Sequence, residues 1–173
     1  MLIPAIGAVR RRAQQAQVRA EISNLEAAIT AFKADFGMDP PSGIVLYEAG
    51  GAAWDQRSKG LIRQMWSQYD FSLPSDINGD GDATDTIALN AGECLVFFLG
   101  GVYEKNADGT FRVYGFSKNP ARPFLNPGSS AAGLSATNSS RQGPFFEFDG
   151  SRFTDTDGDN APEYLDSFPS QQK

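Results

Sequence analysis

Histidine is absent from the 173 residues, and cysteine occurs once, at Cys94. Without imidazole there is no histidine-dependent catalytic triad, no Cys-His protease site and no histidine-ligated zinc hydrolase centre. A lone cysteine closes no intrachain disulfide and builds no thiolate cluster. Within the apolar run 94–99 it reads as a small core residue. Long hydrophobic runs are missing as well. Residues 2–9 are apolar on all sides, but eight residues fall far short of the ~20 that cross a bilayer, so the chain as given carries neither a transmembrane segment nor a secretory signal peptide. Positive charge is the third shortage: 15 Lys and Arg stand against 21 Asp and Glu, a net −6. That balance disfavours nucleic acid as a partner, since phosphate needs a basic surface.

Helix signal is plentiful. Val18, Ile22, Leu25, Ile29, Phe32 and Phe36 follow one another in steps of four and three, which keeps them on one stripe of a helix. Arg10, Arg11, Arg12, Gln14, Gln15, Gln17, Arg19, Glu21, Asn24, Glu26 and Lys33 occupy the other faces. Gly37 can supply the left-handed residue that ends a helix, and Pro40 and Pro41 forbid its continuation. The spacing therefore predicts one helix over residues 2–36, roughly 50 Å long at ~1.5 Å per residue. A domain of this length does not need such a helix for its own core. The organisation expected is a helix over 1–37 followed by a single head over 38–173. The apolar residues 2–9, cut off by three arginines, read as the last turns of a longer apolar segment.

Over LIPAIGAVRRRAQQAQVRAEISNLEAAITAFKADFGMDPPS the chain resembles the type IV pilin-like proteins, in particular the pseudopilins of type II secretion systems. In that family a proline-containing apolar segment leads into a polar, Ala-rich helix. The helix closes on an aromatic-x-x-x-x-Gly pattern, here Phe32 to Gly37, and prolines follow. The family's cleavage-site glycine and assembly glutamate would lie upstream of Met1. The resemblance implies a structural subunit and not an enzyme. It also implies an inner-membrane anchor with the head in the periplasm or outside the cell. The helix would pack against copies of itself, related pilin-like subunits and membrane components of the secretion system. The competing reading is a soluble, calcium-stabilised extracellular binding or adhesion module.

The rest of the chain is loop-rich. Residues 44–47 form a strand candidate, and residues 58–69 can fold as a short helix burying Leu61, Ile62, Met65 and Trp66, broken by Pro74. Residues 93–99 suit either a buried strand or a short helix, since periodicity cannot arbitrate so short an apolar run. A turn at 106–109 precedes an alternating strand at 110–116. Residues 126–143 are poor in large apolar groups and read as a mobile surface loop cleavable at Arg141. Residues 144–148 are an aromatic strand candidate. The order suggests an α+β fold, a long N-terminal helix packed on a small antiparallel sheet with long loops.

Two acidic segments carry the chemistry. In the second, counted from Asp155, carboxylates occupy positions one, three, five, nine and twelve: Asp155, Asp157, Asp159, Glu163 and Asp166. Residues at one, three and five can converge on a hard cation, and a carboxylate at twelve closes the sphere. Asn160 replaces the usual glycine at six and tolerates a left-handed turn; Asp166 replaces the usual glutamate with a shorter arm. Two carboxylates about 4 Å apart in a partly screened site repel by roughly 4 kcal/mol, so a tight cluster calls for a cation, and Ca2+ is the cofactor expected. The bland reading is an acidic turn with its carboxylates splayed into water. The first segment offers Asp76, Asn78, Asp80, Asp82 and Asp85, but its twelfth position is Ile87, leaving Asp85 or the later Glu93 to close the sphere. Clustered carboxylates also serve glycosidases, but these have metal-loop spacing.

Overall fold

The computed structural model describes residues 3–130, 133 and 140–166, with backbone alone for residues 3–8. Helix α1 runs Ile3–Phe36, and it ends as expected, with Gly37 at φ +72° and its N–H donating to the Lys33 carbonyl at 2.9 Å. Ala28, Phe32 and Phe36 are buried, Val18, Leu25 and Ile29 half-buried, and Ile22 stays half exposed although it lies on the same stripe. From Val9 to Gln17 every side chain except Gln14 is exposed. The head begins to cover α1 only about halfway along.

Strand β1, Ile44–Tyr47, falls where its sequence places it. Helix α2, Gln56–Met65, starts earlier than the pattern suggests, because Asp55 caps it by accepting from the Ser58 N–H at 2.9 Å. It stops at Trp66, well before Pro74. Strand β2 is Thr86–Leu89. Helix α3, Ala91–Gly100, settles the ambiguous apolar run: Asn90 and Glu93 form a reciprocal capping box, a helix-start device that a strand does not use. Cys94, Val96, Phe97, Phe98 and Leu99 are almost wholly buried, as suits a helix apolar on most sides.

The strands do not make one sheet. Among the described residues they form four separate antiparallel ribbons: β1 with β2, β3 (Tyr103–Lys105) with β4 (Phe111–Val113), β5 (Phe116–Ser117) with β6 (Arg141–Gln142), and β7 (Phe153–Thr154) with β8 (Glu163–Tyr164). The strand expected over 110–116 is split between β4 and β5 at Gly115, whose backbone crosses that of Gly101. A β-carbon added to Gly101, at φ +92°, would lie 2.2 Å from the Gly115 Cα. Residues 144–148 are not a strand either; the backbone N–H groups of Phe145 and Phe146 donate to the Leu99 carbonyl at the end of α3 instead.

The segment read as a mobile loop is anchored at both ends. Asn126 is fully buried, its Nδ2 donating to the carbonyls of Ile77 (2.9 Å) and Tyr103 (2.7 Å). The Arg141 guanidinium donates to the carbonyls of Tyr114 (3.0 Å), Gly115 (2.7 Å) and Leu125 (2.7 Å). Backbone carbonyls, not apolar side chains, hold these ends, which is why a count of large apolar residues misreads them. Residues 131, 132 and 134–139 of that segment lie outside the described residues.

Aromatic rings join the pieces. Trp66 lies 5.0 Å from Phe36, 5.0 Å from Phe116 and 5.2 Å from Phe124, while Phe32 meets Phe98 at 5.8 Å. Edge-on ring pairs add about 0.5–1.5 kcal/mol each beyond their burial, so the C-terminal end of α1 is built into the head's core. The architecture is α+β, with a long N-terminal helix and small antiparallel sheets. Among the described residues no helix is long and apolar enough to cross a membrane.

Candidate metal centre

The second acidic segment is the connection between β7 and β8. The pairs Phe153–Tyr164 and Thr154–Glu163 close the hairpin and bring Asp155 and Glu163 to its two sides. Side chains then tie the loop to its own backbone: Asp155 Oδ1 accepts from Gly158 N, Asp159 Oδ1 from Ala161 N and Glu163 Oε2 from Thr156 N, each at 2.9 Å. Asn160 takes the left-handed turn at φ +67°. Carboxylate oxygens of Asp155, Asp157 and Asp159 lie within 4.8 Å of one another. This is a spacing one ion can bridge.

A second grouping meets the same limit and brings in a residue from elsewhere: Glu93, Asp157 and Glu163. Glu93 comes from the first turn of α3, which packs against β8. The sequence offered Glu93 to the first acidic segment; the fold gives it to the second, because α3 lies along the hairpin. Asp166, at position twelve, belongs to neither grouping and sits in an exposed stretch beyond β8. The closing carboxylates nearest the loop are thus Glu163 and Glu93. The Asn90-x-x-Glu93 spacing could have located the helix start, but nothing local to it signals the distant hairpin.

The electrostatics match that crowding. Burial, then the charges of Asp159, Asp157 and Glu163, push the Glu93 carboxyl up to about 7, against the Asn90 N–H that favours its ionised form. Burial and the neighbours Asp157, Asp155 and Glu163 likewise raise Asp159. At Asp155 burial opposes ionisation, but Lys105 at 2.8 Å and the backbone N–H groups of Gly158 and Asn160 hold the carboxyl below its usual range. These groups are oxygen donors suited to a hard cation. The one thiol is not a competing nucleophile, since burial and Glu93 push Cys94 up to about 12.

The first acidic segment folds on itself in a related way. Asp76 is buried and accepts from Gly79 N (2.8 Å), Gly81 N (3.1 Å) and Ser129 Oγ (2.5 Å). Asn78 Oδ1 accepts from Asp80 N at 3.1 Å, Asp80 Oδ1 from Asp82 N at 2.8 Å, and Asp82 Oδ1 from Thr84 N at 3.0 Å. Burial, Asp80 and Asp82 raise the Asp85 carboxyl. Among the described residues no three carboxylates here approach within 4.8 Å.

No family model, curated protein or solved structure matches this chain.

Proposed function

We propose that this chain is a structural subunit of a pilin-like assembly, a pilus or a type II secretion pseudopilus, with a head stiffened by calcium. The observation that carries this reading is the exposed first half of α1. From Val9 to Gln17 the helix has almost no head beside it, and a lone polar helix gains little stability in water. Neighbouring helices supply what the head does not. Small residues on this stretch, Ala13 and Ala16 among them, allow close helix approach. In this reading residues 2–17 pack between subunits, near or in the inner membrane, while the head lies in the periplasm or outside. The partners are copies of the chain, related subunits and secretion-system membrane components; the role is architectural and not enzymatic.

Calcium would sit at the β7–β8 hairpin, held by Asp155, Asp157 and Asp159, with Glu163 and Glu93 completing the oxygen shell. Because Glu93 belongs to α3, the ion would clamp the hairpin to the buried centre of the head.

Cysteines introduced at positions 8 and 13 test the assembly in cells. Disulfide-linked ladders of the chain are the expected result, and in the chain without these cysteines Ala13→Trp should abolish assembly while the purified head keeps its fold. A chain that stays monomeric in cells, indifferent to Ala13→Trp, would instead favour the soluble calcium-stabilised module.

A further inference from the structure

Glu48 follows β1 directly and is fully buried, 0% exposed. Its Oε1 accepts from the backbone N–H groups of Ile77 (2.5 Å) and Asn78 (3.4 Å), so its carboxylate lies against the start of the first acidic loop. Its Oε2, equally buried, has no hydrogen-bond partner among the described residues. A buried carboxylate oxygen left without a partner is costly. The ladder shows from which face of the ribbon the Glu48 side chain leaves. The Glu48 N–H donates to the Asp85 carbonyl at 3.0 Å, one step beyond the Tyr47–Thr86 pair. Opposed residues of an antiparallel pair share a face, so Glu48 and Asp85 project to the side of Leu46 and Ile87.

Five carboxylates, those of Glu48, Asp76, Asp80, Asp82 and Asp85, thus belong to one corner of the head. None of the described ion pairs involves any of them. The β7–β8 hairpin, by contrast, has Lys105. We infer that Glu48 and the loop over residues 76–85 form a second, separate site for a hard divalent cation of calcium's kind. Glu48 Oε2 approaches it from the core side, and Asp80, Asp85 and the Asn78 carbonyl oxygen from the loop. Calcium takes six to eight oxygens, amide and backbone carbonyls included, so the site does not require three carboxylates already in contact. It does require the acidic side chains to draw inward on the ion. The alternative occupant is a proton: burial, with Asp76 and Asp85 nearby, pushes the Glu48 carboxyl up to about 8.

Calcium chloride titrated calorimetrically into the chelator-treated full chain separates these possibilities, and circular dichroism checks each variant's fold. Wild type should bind two ions. Asp157→Ala with Glu163→Gln, which disables the hairpin, should still bind one. Adding Glu48→Gln, which copies the protonated shape without the charge, should weaken that remaining ion by about tenfold or more. Asp85→Asn, farther from the core, should act in the same direction and decides the matter if Glu48→Gln does not fold. If the hairpin variant binds no calcium, or binds it equally well after the carboxyls are neutralised, Glu48 holds only its proton and the second site is wrong. A wild type that binds one ion, retained by the hairpin variant, would sink the hairpin reading and leave this one standing.

Discussion

Lys105 Nζ lies 2.8 Å from Asp155 Oδ2 and 2.9 Å from Asn160 Oδ1, so an ammonium from β3 reaches positions one and six of the hairpin loop. The chain thereby places one positive charge of its own beside the carboxylates that would hold an ion. That charge steadies the metal-free loop and opposes a metal. Lys105→Met should lower the unfolding temperature in chelator yet tighten calcium at the hairpin, by roughly three- to tenfold for a like charge removed at partly screened range. Calorimetry on the variant reads both effects, and unchanged affinity would mean the lysine and the ion do not share the loop.

Calcium itself should raise the unfolding midpoint. A ligand that binds only the folded state adds about 2.7 kcal/mol at 100 times its Kd, worth roughly 5–10 °C for a chain of this size. Thermal melts in excess calcium and in chelator measure the shift. Asp157→Ala, which removes a member of both hairpin groupings, should shrink it. A wild-type midpoint indifferent to chelator would remove calcium from the account.

In chelator the pH dependence should run against the usual acid sensitivity. Glu48 and Glu93 have folded pKa values raised from 4.5 to about 8 and about 7. The folded state keeps protons that the unfolded chain has released. Their contribution is complete below the unfolded value of 4.5 and is lost as pH rises through 7 and 8. Melting temperature in chelator should therefore fall between pH 5 and 8, and Glu48→Gln should flatten the decline. A midpoint that climbs over that window would show both carboxyls to be ionised throughout.

Arg141 should resist trypsin in the folded protein. Its guanidinium is bonded to three backbone carbonyls, and a protease must extract it from them. Arg141→Ala leaves those carbonyls short of donors and should cost about 3 kcal/mol. Arg141→Lys should recover only part, since a single ammonium lacks the planar fork. Urea unfolding quantifies both, and early cleavage at Arg141 would contradict the anchoring.

Cys94 should be inert toward thiol reagents at pH 8 until the fold opens. The thiol is wholly buried and pushed up to about 12, so almost no thiolate exists to react. Labelling that tracks unfolding across a urea series is expected; fast labelling of the native chain would place the thiol at the surface.

Long-period features were legible in the sequence and short ones were not. Six apolar residues from Val18 to Phe36 and the Gly37 stop defined α1, because a stripe that long has no rival interpretation. The left-handed Asn160 and the convergence of Asp155, Asp157 and Asp159 followed from spacing within a dozen residues. The ribbons escaped, since strands of two to four residues carry too little alternation to be paired in advance. Glu48, and the grouping of Glu93 with the second acidic segment instead of the first, escaped for a different reason. Each reaches its acidic loop across the fold, from positions 28 and 64 residues away from Asp76 and Asp157 by number, and no local pattern encodes such a meeting.

The chain has two tryptophans, Trp54 and Trp66, and the fold assigns them to different neighbourhoods. Trp66 touches Phe36, the last residue of α1, whereas Trp54 sits among Tyr47, Tyr69 and Phe71. The molecule thereby contains its own pair of optical probes. With Trp54→Phe, the remaining indole emission would register the seating of the helix end. With Trp66→Phe, it would register the head alone. Comparing the two across a denaturant series would reveal whether the long helix leaves its cradle before the head gives way, or whether both depart in one step.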